Sequence, residues 1–218
     1  LGLIIFDSTF DAKETMTDST RGSYDPNTFK GLTFHDRRPD FEDGSDNPRA
    51  YLERCLETIA EREPEVKAYV YLNEEDARTA ADESTVRWKS GQPLSPIDGM
   101  PVSIKDLLET RDMPTEMGCA AYKGNSPGRD NAAVWALREA GAVVLGKTVT
   151  AELGGRHPGA TTNPLHPGHT PGRSSSGSAA AVAAGLVPAA IRRHGALHPG
   201  EVRSWRDLHV VLRLPDPV

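Results

Sequence analysis

Cysteine is scarce in this chain: its 218 residues carry two, Cys55 and Cys119. Two thiols cannot build a disulfide framework, so the expected compartment is a reducing one, the cytoplasm. A surplus of positive charge is also missing. The net charge of -6 argues against non-specific binding to nucleic acid or to an anionic membrane, both of which want a basic face. No apolar run is long enough to span a bilayer. The longest, Ser178 to Ile191, is alanine-rich and broken by Gly185 and Pro188. The opening Leu1-Gly2-Leu3-Ile4-Ile5-Phe6 has no basic flank and no cleavage site, which argues against a signal peptide. An initial methionine is absent too. The first is Met16, which raises the expectation that residues 1–15 lie upstream of the native start.

What is present suits a soluble globular fold. Charged residues make up 26% and hydrophobic ones 37%, far from the composition of a disordered chain. The length allows one domain with a real core, or two small ones. Residues 1–46 read as a polar arm, and the Asp-, Gly- and Pro-rich stretch 16–47 reads as arm or loop. Asn47-Pro48 then opens a helix with Tyr51, Leu52, Cys55, Leu56 and Ile59 at helical spacing. Ala68 to Leu72 predicts a short strand, and Asn73 to Lys89 a charged, solvent-exposed helix. Pro101-Val102-Ser103-Ile104-Lys105 predicts a buried strand ending in lysine. Asp130 is expected to cap a helix that turns Val134, Leu137 and Ala140 inward and stops at Gly141. Ala142 to Leu145 is the next strand. Alternating strands and helices predict an α/β layered fold.

Gly141-Ala142-Val143-Val144-Leu145-Gly146-Lys147-Thr148 matches the phosphate-loop pattern G-x-x-x-x-G-K-T letter for letter. That chemistry needs a strand before the motif and a helix after it, so that a flexible loop can wrap phosphate with its amides. Here a helix precedes the motif and its middle reads as strand. A nucleotide site is therefore not expected.

Two other features carry chemistry together. Lys105 closes a buried strand, and burial favours a neutral lysine able to accept a proton. Thr170-Pro171-Gly172-Arg173-Ser174-Ser175-Ser176-Gly177-Ser178 presents several hydroxyls just before an alanine-rich helix. Separately, the lysine reads as a surface residue paired with Asp106, and a serine as the cap of a helix. Jointly they suggest nucleophilic catalysis in which lysine activates a hydroxyl. His157, His166 and His169 sit in a Pro/Gly loop without acidic or cysteine companions at metal spacing, so they read as solvated, and no metal or cofactor is expected. Cys55 reads as core. Cys119 reads as packing or as a neighbour of substrate.

The chain resembles the amidase signature hydrolases from about Asn47 to Ala190. The resemblance rests on Asp98-Gly99-Met100-Pro101-Val102-Ser103-Ile104-Lys105-Asp106, on Gly141 through Thr148, on Glu152, on Gly159-Ala160-Thr161-Thr162-Asn163-Pro164, and on Pro171 through Pro188. It implies an amidase-signature α/β fold, a mixed sheet flanked by helices, left incomplete in this chain. It implies cleavage of carboxamide C–N bonds by a Ser–cisSer–Lys mechanism without a metal. Lys105 takes the base role, Ser174 the bridging role behind a cis peptide bond, and Ser175 a supporting one. The partner implied is a small-molecule amide, with homodimerisation or an amidotransferase partner left open. Some relatives serve as the amidase component of a glutamine-dependent transamidation complex.

The resemblance also implies a nucleophilic serine 24 residues beyond Ser174, in a glycine-rich run that supplies the oxyanion hole. That position is His198, within Arg192-Arg193-His194-Gly195-Ala196-Leu197-His198-Pro199. The resemblance stops after Ile191, which divides the chain into an amidase-signature part, 47–191, and an unrelated tail, 192–218. A shifted reading frame is expected. The last two bases of each codon from Arg192 on, joined to the first base of the next, permit Gly-Asp-Thr-Gly, then Ser-Ile-Arg. Only Ala196-Leu197 refuses the glycine required between them. Arg173, where the family usually has glycine, is a second departure. It is expected to crowd the site and to repel a protonated Lys105. The implied state of the chain as given is an inactive, truncated amidase or a non-catalytic remnant.

Overall fold

The computed structural model describes residues 34–172, 174–193 and 208–212. Residues 1–33, Arg173 and His198 lie outside them, as does most of the tail. The expected arm or loop over 16–47 misses two helical pieces, a 3-10 turn at His35–Arg37 and helix α1 at Arg38–Asp43. Phe34 and Phe41, both about 2% exposed, are the reason. They form an aromatic cluster with Tyr51 and Trp88, its ring centroids 5.5 to 6.3 Å apart. Two apolar rings in a polar stretch are too sparse for a periodic signal. Phe41→Ala should cost about 3–5 kcal/mol in chemical denaturation; a loss under about 1 kcal/mol would mean that the cluster contributes no more than a surface contact.

Helix α2 (Pro48–Val66) begins where the sequence says it should. The Asn47 side chain accepts from the Ala50 amide at 2.9 Å, and Pro48 fills a first-turn position that needs no donor. Its apolar residues divide between two cores. Leu52, Leu56 and Ile59 pack on one face of the sheet, Tyr51 and Cys55 on the other side with the aromatic cluster. Strand β1 (Tyr69–Leu72) and helix α3 (Glu74–Lys89) follow. α3 is less exposed than its charge suggests, because the small residues Ala77, Ala81 and Ser84 and the ring of Trp88 give it one buried face.

β2 (Pro101–Lys105) and β3 (Val143–Thr148) are buried throughout and parallel, joined through helix α4 (Ala132–Glu139). Helix α5 (Ser176–Ala183) leads from β3 to β4 (Ala189–Arg193), which lies parallel to β2 on its other side. β5 (Leu208–Leu212) pairs antiparallel with β4, giving the order β1-β3-β2-β4-β5. This is the mixed sheet flanked by helices that the sequence implied.

The glycines of the phosphate-loop match have packing reasons. A Cβ on Gly141, whose φ is +87°, would meet the Asp98 carboxylate at 2.4 Å. A Cβ on Gly146 would meet the Tyr71 carbonyl oxygen at 2.5 Å. Asp98 is wholly buried and accepts two bonds from the Arg87 guanidinium, at 2.8 and 2.7 Å, while its carbonyl accepts from the Trp88 indole at 3.0 Å. It thus ties the end of α3 to the start of β2. Beside Gly146 the β2–β3 register slips: Val102 pairs with Val144, but Ser103 pairs with Gly146. A one-residue slip turns later side chains to the opposite face. Lys147 therefore stands level with Ile104 and Thr148 level with Lys105.

Both cysteines are free. Burial pushes the Cys55 thiol up to about 12, and it is the thiolate that reacts. At about pH 8 an alkylating reagent should modify the half-buried Cys119 in native buffer and reach Cys55 only after denaturant is added. Equal labelling of both in native buffer, read by mass spectrometry, would contradict this packing.

Candidate active site

Successive residues of a strand face opposite ways. Ile104 joins the core that holds Val102, Leu108 and Met113, so Lys105 points into the layer beneath α5. It is wholly buried there. Its Nζ donates to Ser174 Oγ at 3.0 Å and to Ser175 Oγ at 2.9 Å. The structure thus brings together three of the residues singled out in the sequence. The fourth position, His198, lies outside the described residues, as does the peptide bond between Arg173 and Ser174.

The serine loop is held by its backbone. The Ser174 carbonyl accepts from Thr150 Oγ1 at 2.9 Å and from the Ala151 amide at 3.3 Å. Gly177 donates to the Val149 carbonyl at 3.1 Å, and a Cβ there would meet the Ala68 carbonyl oxygen at 2.4 Å. Glycine is what lets α5 start directly against the end of β3. Ser175 occupies the N-cap position of α5, yet its side chain makes no capping bond. Its hydroxyl turns to Lys105 instead. The simple capping role that the sequence allowed for a serine here is not the one Ser175 plays.

Further hydroxyls line the same face and carry no motif of their own. Thr148, level with Lys105, shares a 2.7 Å hydrogen bond with Ser178 of α5. Ser103, two residues before Lys105, shares a 2.5 Å bond with the hydroxyl of the partly buried Tyr69. Burial pushes the Tyr69 phenol well above its ordinary range, so it stays a neutral donor or acceptor at physiological pH.

Asp106 serves a different lysine from the one next to it. Lys147 Nζ lies 3.1 Å from Asp106 Oδ1 and donates to the Pro114 carbonyl at 2.9 Å and to Thr115 Oγ1 at 2.6 Å. Burial pushes Lys147 down and Asp106 up, and each partner opposes the shift of the other. An ammonium has three N–H donors, and these three acceptors use them all. The geometry fits an ionised pair better than a neutral one. The fold therefore buries two lysines on opposite faces of one sheet, one beside a carboxylate and one beside two serines.

A groove of about 470 Å³ runs past Lys67, Tyr69, Gly118, Thr150, Glu152 and His157. Lys105, Ser174 and Ser175 do not line it, but Thr150 holds the Ser174 carbonyl, so groove and serine loop are one hydrogen bond apart. Cys119 sits between two of its lining residues, Gly118 and Ala120. His166 and His169 are exposed, with their Nδ1 atoms 2.7 Å apart. Among the described residues no group of three or more His, Cys, Asp or Glu could hold a metal ion. Among the same residues no helix is long and apolar enough to cross a membrane.

Residues 50–192 match the family model described as Amidase. The chain is similar to a glutamyl-tRNA(Gln) amidotransferase subunit of Chloroflexus aggregans, 40% identical over 64% of this chain and 30% of that protein. Among solved structures it is similar to the peptide amidase of Stenotrophomonas maltophilia, with a TM-score of 0.69 and 33% identity over 76% of this chain and 37% of that one. A bacterial aryl acylamidase superposes with a TM-score of 0.66 at 26% identity, over 74% of this chain and 35% of the other. The chain spans about 30% of the length of the curated relative it matches.

Proposed function

The chain belongs to the amidase family, and from that premise we propose that it carries the lysine and serine part of a site for hydrolysing carboxamide C–N bonds, without the nucleophile. The observation that carries this is Lys105 Nζ held between Ser174 Oγ and Ser175 Oγ in a buried setting. In the complete reaction a further serine attacks the amide carbonyl. Ser174, the residue of the Ser–cisSer–Lys arrangement that bridges to lysine, relays the proton released, and neutral Lys105 accepts it. Ser175 supports the relay. The same chain of hydroxyls then returns the proton to the departing amine, which cannot leave as an anion.

The family match stops at residue 192, one residue past Ile191, where the reading frame is proposed to shift. This supports an amidase-signature part over 47–191 and an unrelated tail with His198 in the nucleophile's place. The chain as given should show no hydrolysis of acetamide, benzamide or glutamine above background. Robust turnover that disappears on Ser174→Ala but persists in His198→Ala would sink the proposal.

The likeness to a glutamyl-tRNA(Gln) amidotransferase component favours a second reading. Here the ammonia released from glutamine would pass to a partner enzyme, and glutaminase activity would depend on added partner protein. A small-molecule amide is the substrate class in both readings. Two free thiols and a net charge of -6 favour a cytoplasmic protein with no nucleic-acid partner.

A further inference from the structure

Ser175 stands at the N-cap of an eight-residue helix, where a serine hydroxyl ordinarily accepts from a first-turn amide. It makes no such bond, and its hydroxyl lies 2.9 Å from Lys105 Nζ instead. Ser174 is placed differently: its carbonyl is fixed by Thr150 and Ala151 against the end of β3. Ser175 itself is half-buried, whereas Lys105 is sealed from solvent. A second polar group of the same first turn is uncommitted, because the buried Ser176 hydroxyl has no hydrogen-bond partner among the described residues. A hydroxyl on a half-buried serine, a buried amine against it and the amide-rich start of a helix are the elements of a serine–lysine dyad.

We infer that Ser175, activated by Lys105, accepts an acyl group from activated aryl esters, an acyl transfer that needs no other nucleophile. Ser175 Oγ attacks the acyl carbon and forms a new C–O bond as Lys105 Nζ takes the hydroxyl proton. The tetrahedral intermediate collapses by breaking the bond to the aryl oxygen, which departs as a phenolate with the electron pair. Water later cleaves the acyl-serine to a carboxylic acid and releases a proton to solvent, while Lys105 Nζ returns its own proton to Ser175 Oγ as that oxygen leaves. An amide differs at one step. Its amine must be protonated as it leaves, and the Ser174 relay is proposed to deliver that proton beside the missing nucleophile rather than beside Ser175, whereas a phenolate leaves unaided. The inference rests on the proposed reading of Lys105 as a proton acceptor.

The test is incubation of the chain with 4-nitrophenyl acetate, followed by peptide mapping of the acetylated residues. A rapid phase should release one 4-nitrophenolate per chain and place a single acetyl group on Ser175, about 100-fold faster than on any other serine. Ser175→Ala should lose the rapid phase. Lys105→Met, folded as judged by its melt, should slow the rapid phase about 100-fold. Acetylation confined to lysines and histidines, or placed on Ser174, overturns the inference, as does undiminished labelling in Lys105→Met. Should Lys105→Met fail to fold, the preference for Ser175 over other serines in the parent decides the matter. Amide turnover by a frame-restored chain without acetylation of Ser175 would remove this inference and leave the proposed function standing.

Discussion

In a frame-restored protein, Lys105→Ala should reduce amide hydrolysis about 1,000-fold or more, since a positioned general base contributes about 10²–10⁴-fold and this one also anchors the relay. Nζ is the common partner of Ser174 and Ser175, and its burial leaves no path for bulk water to take over the proton. Ser174→Ala should cost nearly as much, because the relay is then broken beside the nucleophile. Ser175→Ala should cost less, because its hydroxyl only supports. The loss should fall on kcat with little change in KM, as expected for an interaction that matters in the transition state. Parent-like turnover in Lys105→Ala would mean that the lysine is structural.

The second large effect is on stability. Asp106→Ala should destabilise the protein by about 3–5 kcal/mol, the usual consequence of leaving one buried charge without its partner. Lys147, wholly buried, would keep only the Pro114 carbonyl and the Thr115 hydroxyl as acceptors. Asp106 also accepts from the Glu116 amide at 3.2 Å, so the loop after β2 would lose an anchor. Pairing Asp106→Ala with Lys147→Met should recover part of the loss, because an apolar side chain then fills the site where a stranded ammonium stood. Denaturant titration of the two variants checks this. A single variant as stable as the parent would show that the pair is dispensable.

The elements carrying strong local signals were legible in the sequence. Asn47-Pro48 announced α2, the β-branched run before Lys105 announced β2, and the strand inside Gly141–Thr148 ruled out a phosphate loop. The lysine and the serine loop could be named together because both belong to long ordered motifs. What stayed hidden depends on tertiary contact. Asp106 follows Lys105 in sequence yet pairs with Lys147, because a register slip in β3 moves that side chain to the face where Asp106 lies. Phe34 and Phe41 gain meaning only against Tyr51 and Trp88. The release of Ser175 from helix capping is a matter of side-chain direction, which composition cannot report. Thr148, Ser178, Ser103 and Tyr69 are ordinary residues one by one, and only the sheet assembles them around Lys105.

The central claim is that this chain holds the proton-handling half of an amide-cleaving site and lacks the attacking serine. Its most direct test is the rate of benzamide hydrolysis by the chain as given and by a chain whose frame is corrected near codon 191, measured side by side. The account predicts no turnover by the first, and turnover by the second that depends on a serine 24 positions beyond Ser174, where His198 now stands. Equal rates for the two chains, or a corrected chain that carries that serine and still leaves the amide intact, would contradict it.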